Sequence, residues 1–290
     1  MGYRIKLDSM EERKLVVNIG FVGCGGIARA HVQRLAKIPE AKMVAFYDVV
    51  PQKAEDAAKL VGAKAYPDLQ QMLDEERLDA VYVCVPPFAH GFEPKIVERG
   101  IHLFVEKPVA LTMEVAREIE RAIARAGVLC SVGYMWRYLD TTALAKKTLE
   151  ENGPVGMVEG LYIDPYWFPP GHWWIDKAKS GGQVLEQSTH VFDLARYLVG
   201  DVLRVYAELD TRLLTDVPGF KTEDVSLVTL KFKNGAIGVV LSTCASRRTF
   251  TGTSLKVLAK TVVVEHGGHS GILRIYRDQE VREVKPTVDS

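Results

Sequence analysis

The sequence predicts two domains of different class: an α/β domain with a parallel sheet over residues 1–133, and an α+β domain built on a large, mainly antiparallel open sheet over residues 134–290. Three observations predict it. At 290 residues the chain is too long for one small domain and comfortable for two. From Val16 to about Val132 short apolar runs alternate with amphipathic stretches, as βαβ units do. Beyond Gly133 that rhythm gives way to longer strand-like runs, with helical pattern returning only twice.

Residues 1–15 are charged and read as an N-terminal extension. Val16–Val22 is apolar apart from Asn18 and Gly20, which suits a strand buried on both faces. It opens into Gly23-Cys24-Gly25-Gly26-Ile27-Ala28 and a helix expected to run to about Ile38. Met43–Tyr47 reads as the second strand and ends on Asp48, and Pro51 suits the first turn of a helix reaching about Leu60. Ala80–Val85 is a further buried strand, stopped by Pro86-Pro87. A helix end is expected at Pro94–Arg99 with Gly100 at its C-cap, then a strand at Ile101–Val105. Thr112 can cap a helix over 113–126 that Gly127 ends, and Val128–Val132 closes the parallel series.

In the second domain, strands are expected at Val155–Asp164, Val202–Leu214, Asp224–Lys233, Ala236–Ser246, Ser254–Glu265 and Gly271–Arg277, with helices at Thr141–Glu151 and Glu186–Leu198. Val228, Leu230 and Phe232 alternate with Thr229, Lys231 and Lys233, the pattern of an antiparallel strand with one wetter face. Asn234-Gly235 between two such strands is a two-residue hairpin signal. There is no internal repeat and no low-complexity tract.

Composition excludes several classes. With 47% hydrophobic and 26% charged residues the chain matches ordinary soluble globular proteins. Its 37 basic and 37 acidic residues cancel, so nothing in the net charge draws it to nucleic acid or an anionic membrane. No apolar run approaches the roughly 18 residues of a membrane span, and the first fifteen residues lack the apolar core of a secretory signal. Lys6 stands where a myristoylation signal wants Ser or Thr. The four cysteines (Cys24, Cys84, Cys130, Cys244) show neither metal-ligand spacing nor a disulfide framework. A reduced, cytoplasmic compartment and no metal are expected.

Gly23-x-Gly25-x-x-Ala28 between a strand and a helix is the context of a Rossmann dinucleotide site. The first glycine permits the tight turn, the second lets backbone approach a pyrophosphate, and the small third residue lets helix pack on strand. Cys24, Gly26 and Ile27 complete the loop. Asp48, ending the second strand, can accept hydrogen bonds from the adenosine ribose and would repel the 2′-phosphate of NADP. NAD is therefore expected over NADP. Cys24 beside a helix N-terminus could have a lowered pKa; the plainer reading is a small residue in a crowded turn.

Two further groups carry chemistry. Glu106-Lys107-Pro108 follows a parallel strand, at the edge where open α/β sheets bind ligands. An ammonium there can stabilise alkoxide character as hydride departs; taken alone, a lysine before a proline is a solvated loop residue. In Gly181-Gly182…Glu186…His190…Asp193, a helix starting near Glu186 would put Glu186 and His190 on one face, with Asp193 a further turn along. A histidine with a nearby carboxylate is a tunable base; a buried helical histidine on a backbone carbonyl is the alternative.

The glycine loop, Cys84-Val85-Pro86-Pro87-x-x-His90, Glu106-Lys107-Pro108, Val132-Gly133-Tyr134-x-x-Arg137 and Gly181-Gly182…Glu186…His190…Asp193 occur in one order. That order resembles the glucose-fructose oxidoreductase / inositol dehydrogenase / MocA-like (Gfo/Idh/MocA) family, over about residues 15 to 200 by motif and beyond only by the sheet-rich pattern. The resemblance implies a catalytic Lys107 with a cis bond before Pro108, and His190 as acid/base partner. Glu186 would then stand where the family triad usually has Asp, one methylene longer. It also implies Glu106 near the nicotinamide ribose, with Val85, Pro86, His90 and Lys107 along the cofactor. Arg137, Tyr162, Trp167, His172, Trp173, Lys177, Lys107 and His190 would line the substrate. The implied activity is NAD-dependent oxidation or reduction of a sugar, inositol or related polyol. A non-catalytic NAD-dependent sensor and an NAD-dependent glycosidase-like enzyme are the competing expectations. A homo-oligomer is expected, because the second domain's sheet has more face than its helices cover; the resemblance implies a homodimer or homotetramer. Relatives of this kind often continue beyond the position of Ser290 and return a segment toward the first domain.

Overall fold

A computed structural model describes residues 16–287; the expected extension 1–15 lies outside the described residues. The chain forms two units. The first runs up to Val85 and adds Gly91–Glu106 and Arg117–Ser131; the second comprises Pro86–His90, Lys107–Ala116 and the residues from Val132 on.

The first unit is built on a six-stranded sheet of order β3-β2-β1-β4-β5-β6. Its strands are β1 (Val17–Val22), β2 (Ala41–Tyr47), β3 (Lys64–Tyr66), β4 (Ala80–Val83), β5 (His102–Val105) and β6 (Cys130–Val132). β1 pairs in parallel with both β2 and β4, so the strand order reverses beside it. Helices α1 (Gly26–Leu35), α2 (Pro51–Val61), α3 (Leu69–Glu75), α4 (Glu93–Val97) and α5 (Met113–Ala126) connect the strands. Ala28, Val32 and Leu35 of α1 bury against Phe21, Phe46 and the alanine stripe of α2. Gly62, Gly100 and Gly127 take the left-handed conformation expected past helix ends.

The second unit is built on an eight-stranded sheet of order β14-β13-β12-β11-β7-β10-β9-β8. Its strands are β7 (Val155–Ile163), β8 (Val202–Asp210), β9 (Val225–Phe232), β10 (Ile237–Thr243), β11 (Gly252–Ala259), β12 (Val263–His266), β13 (Leu273–Arg277) and β14 (Glu280–Val284). All pairings are antiparallel except β7 with β10. Helices α6 (Asp140–Glu151), α7 (Lys177–Ser180), α8 (Gln183–Glu186) and α9 (Thr189–Val199) complete it. α6 and α9 cover one face of the sheet. Gly160 makes this possible: a Cβ there would lie 2.5 Å from Val191 of α9. The core joins Val158, Val228, Leu230, Phe232 and Val240 to Val191, Leu194 and Leu198.

Four departures from the sequence reading have local causes. The expected strand over 254–265 is two strands, β11 and β12, because the chain turns back where the Ala259 amide donates to the Val262 carbonyl. The expected strand over 202–214 stops at Asp210. Beyond it the buried Asp224 carboxylate accepts the backbone amides of Arg212, Leu213 and Leu214, which removes them from the ladder. The expected helix 186–198 is broken after Glu186. The Ser188 amide reaches back to the Gln183 carbonyl and the Gln183 side chain donates to the Ser188 hydroxyl, closing one helix as the next begins. Short elements went unread as well: α3, β3 and β14 are too brief or too polar for a periodic signal.

No described helix is long and apolar enough to cross a membrane. Among the described residues no group of His, Cys, Asp and Glu could hold a metal ion, and all four cysteines are free thiols.

Candidate active site

In the first unit the β1–α1 loop follows the dinucleotide pattern. Gly23 has φ +86°, and a Cβ on it would sit 2.4 Å from the Cys84 carbonyl oxygen, so only glycine fits between the ends of β1 and β4. Gly25 and Gly26 differ: a Cβ on either meets nothing within 4 Å. The first turn of α1 carries no side-chain cap and no acidic residue, which leaves its amides for an anion. Ile27, about half exposed, flanks them.

Asp48 ties the second strand to this loop. One carboxylate oxygen accepts the Cys24 amide at 2.8 Å and the other the Val50 amide at 2.8 Å. A carboxylate oxygen has a second lone pair, so the ribose hydroxyls can still be accepted. Cys24 is no nucleophile: burial, and then the Asp48 charge, push its thiol up to about 12. Its small buried side chain fits the crowded turn.

Glu106, buried at the end of β5, receives a partner that sequence reasoning missed. His31 Nε2 lies 2.6 Å from its Oε1, reaching over from α1. The His31 ring is set edge-on to Phe104 and tilted against Tyr82. Its place one turn beyond Ala28, on the face turned to the sheet, was the available signal. Val85 falls in this unit, whereas Pro86 and His90 flank the 3-10 turn Pro87–Ala89 and belong to the second.

In the second unit Lys107 is held by Glu186. Its ammonium donates to Glu186 Oε1 at 2.7 Å and to the Glu186 carbonyl at 2.8 Å. The other carboxylate oxygen of Glu186 accepts the indole N–H of the buried Trp174 at 2.7 Å. The peptide bond before Pro108 is cis, as expected.

The path to Glu186 is set by glycines and a buried acid. Gly181 and Gly182 both have positive φ, and a Cβ on Gly182 would meet the Glu223 carboxylate at 2.4 Å. Glu223 in turn accepts the Val184 amide at the start of α8 and pairs with Lys177 at 2.9 Å. Glu223 was not anticipated; it lies in a loop, with no periodic signal to mark it.

His190 opens α9, buried between Trp136 at 5.1 Å and Tyr134 at 6.0 Å, ring centre to ring centre. The expected sharing of a helix face by Glu186 and His190 fails because the helix breaks between them. Each carboxylate has another partner: Glu186 has Lys107 and Trp174, and Asp193 forms a two-pronged pair with Arg137. His190 Nδ1 is buried and has no hydrogen-bond partner among the described residues. Burial first, then the charge of Lys107, hold its pKa well below the usual histidine value, so the ring is neutral near pH 7. His269, on the turn Gly268–Ser270, stands 6.2 Å from His190 and was also missed; the turn falls between the two strands expected at 254–265 and 271–277, where no pattern marks it.

The remaining expected substrate residues are spread over this unit. Tyr162 is buried on β7, its hydroxyl 3.5 Å from His269 Nε2. His172 accepts the Trp174 amide and stacks on Phe168, and the exposed Trp167 also stacks on Phe168, at 4.0 Å. Trp173 meets Phe88 at 6.4 Å. Arg137 and Lys177 are engaged by Asp193 and Glu223.

Two family models match the chain. Residues 17–134 match the oxidoreductase-family model described as an NAD-binding Rossmann fold, and residues 144–262 match the GFO/IDH/MocA C-terminal domain. Myo-inositol 2-dehydrogenase of Thermotoga maritima is 32% identical over 77% of this chain and 67% of its own length. The chain belongs to the GFO/IDH/MocA oxidoreductase family. As in that family, its first unit is an NAD-binding Rossmann fold. The uncharacterized oxidoreductase YrbE of Bacillus subtilis is 32% identical over 76% of this chain, and the match spans 65% of that relative. Among solved structures, levoglucosan dehydrogenase in complex with NADH and levoglucosan superposes with TM-score 0.84 over 93% of this chain and 80% of that one. At 24% identity that likeness speaks to the fold. The WlbA dehydrogenase of Bordetella pertussis, in complex with NADH and UDP-GlcNAcA, is 26% identical with TM-score 0.82, over 95% of this chain and 78% of that one.

Proposed function

We propose that this GFO/IDH/MocA member is an NAD-dependent dehydrogenase that moves hydride between nicotinamide and a hydroxyl-bearing carbon of a sugar, inositol or related polyol. The observation that carries the reading is the Lys107–Glu186 pair, whose ammonium acts on a neutral, buried His190 in the same unit. Relatives named as inositol, levoglucosan and glucose-6-phosphate dehydrogenases support the substrate class.

When bound, NAD+ supplies the two-electron acceptor for the hydride. The chain's residues do the rest. Gly25, Gly26 and the first turn of α1 would cradle the pyrophosphate, and Asp48 would take the adenosine ribose. Lys107 donates a hydrogen bond to the reacting hydroxyl oxygen and stabilises its alkoxide character as the C–H bond breaks. His190 takes the hydroxyl proton, and its neutral state at pH 7 makes it available as a base. Alcohol and NAD+ thus give ketone, NADH and a proton; reduction runs the same path backwards. Glu186, fixed by Trp174, aims the ammonium. Tyr162 and Trp173 suit the substrate wall better than Arg137 and Lys177, whose charges already meet carboxylates.

The face of the second sheet away from α9 carries Met157, Leu161, Leu227, Ile237 and Leu241, several of them exposed. This supports a homo-oligomer in which a second copy covers that face. Four free thiols, three of them buried, support a reducing, cytoplasmic setting.

The test is absorbance at 340 nm with NAD+ and a panel of inositols, hexoses, anhydrosugars and sugar acids. Net NADH with a ketone product is expected on at least one. NAD+ binding without turnover on any would overturn the dehydrogenase reading in favour of a sensor. Substrate cleavage without net NADH would do so in favour of a glycosidase-like enzyme.

A further inference from the structure

We infer that His269 is a specificity-determining residue of this site, holding a second hydroxyl of the polyol next to the one that reacts. The inference rests on the dehydrogenase reading and deepens it, and it starts from where the imidazole stands. His190 and His269 face each other nearly edge to face at 6.2 Å, both against the Trp136 ring, at 5.1 Å each. His190 is buried, whereas His269 is the more exposed of the two.

The imidazole is presented by a rigid turn. The His269 amide donates to Thr253 Oγ1 at 2.9 Å. Gly268 has φ +54°, and a Cβ there would lie 2.1 Å from that same hydroxyl. The preceding His266 is fully buried, and its Nδ1 accepts the Gly268 amide at 3.1 Å. Its Nε2–H must then donate to Thr142, whose hydroxyl donates to the Trp136 carbonyl. The turn carrying His269 is thus locked to the same tryptophan that walls His190.

Its side-chain chemistry suits a hydroxyl. Desolvation of the imidazole against its aromatic neighbours, and then the charge of Lys107, lower the His269 pKa below the usual histidine value, which favours the neutral ring. A neutral imidazole has one donor and one acceptor, the complement of an alcohol. The Tyr162 hydroxyl lies 3.5 Å from His269 Nε2, so a second hydrogen-bonding group stands beside the imidazole. A station away from the reacting carbon contributes equally in ground and transition states, and so sets KM more than kcat.

The experiment follows the imidazole resonances of the NADH-loaded full chain by NMR, assigned with His190→Gln and His269→Gln. The probes are myo-inositol, scyllo-inositol and levoglucosan. The inference expects any probe that shifts His190 to shift His269 too. His269→Phe should then weaken binding of that probe about tenfold, with kcat falling much less, and His269→Gln should recover part of the affinity. A probe that shifts His190 and leaves His269 untouched, or binds His269→Phe as tightly, would overturn the assignment while leaving the dehydrogenase reading intact. If no probe shifts either ring, the polyol reading falls and the assignment with it.

Discussion

The glycine loop of the first unit works through its backbone, whereas the site of the second works through side chains that hold one another. In the loop, the proposed function depends on atoms that are absent: no Cβ at Gly23, where two strands' ends touch, and none at Gly25 and Gly26, where the pyrophosphate would approach. Around Lys107 it depends on atoms that are present, since Glu186 meets both the ammonium and the Trp174 indole. The first site should therefore break when atoms are added and the second when they are removed or neutralised.

The largest effect is expected at Gly23. Gly23→Ala forces a left-handed alanine against the Cys84 carbonyl and should cost on the order of 2–5 kcal/mol of stability, read by denaturant unfolding. Gly25→Ala is the contrast. Its Cβ meets no atom of the described residues within 4 Å, so stability should stay within about 1 kcal/mol while calorimetric NAD affinity falls several-fold. Equal stability losses at the two positions would erase the distinction.

Next comes an acid sensitivity confined to the second unit. Burial lowers the His266 pKa from 6.5 to about 4, so the folded state resists protonation that the unfolded chain accepts. Its stabilising contribution is complete above pH 6.5 and is lost as pH falls toward 4. At about 1.4 kcal/mol per unit this amounts to roughly 3 kcal/mol. His266→Gln should flatten the melting temperature across that window, and an unchanged slope would show that the ring is not held neutral.

A smaller effect is expected at Glu186. Glu186→Gln keeps the shape but presents Lys107 with a neutral partner, and one amide end must face a donor. Turnover should drop about tenfold with NAD affinity unchanged. Glu186→Asp, shorter by one methylene, can reach Lys107 or Trp174 but not both, so it should fall between wild type and Glu186→Gln.

The same contrast explains what could be read from the sequence. The glycine loop, Asp48 and the β1–α1 turn were legible because a strand, a loop and a helix follow one another within a few dozen residues. Lys107 and His190 were singled out through motif order, and the β9–β10 hairpin was legible through Asn234-Gly235. Partners were not found. His31 for Glu106, Glu223 for Lys177 and His269 beside His190 are set by sheet topology across long separations. The break between α8 and α9 was signalled by Ser188-Thr189, but the apolar period running through Val184, Leu185 and Val191 masked it. Pairing Glu186 with His190 was the error that followed.

The most direct test of the account is Lys107→Met, assayed for NADH formation on a turned-over polyol with NAD affinity measured beside it. Loss of one preorganised donor to the developing oxyanion predicts turnover lower by about 10²–10³-fold, with NAD binding within about twofold. The acid limb of the residual activity should also move up toward pH 6.5, because the Lys107 charge no longer depresses His190. Turnover equal to wild type would contradict the role of Lys107, and with it the dehydrogenase mechanism.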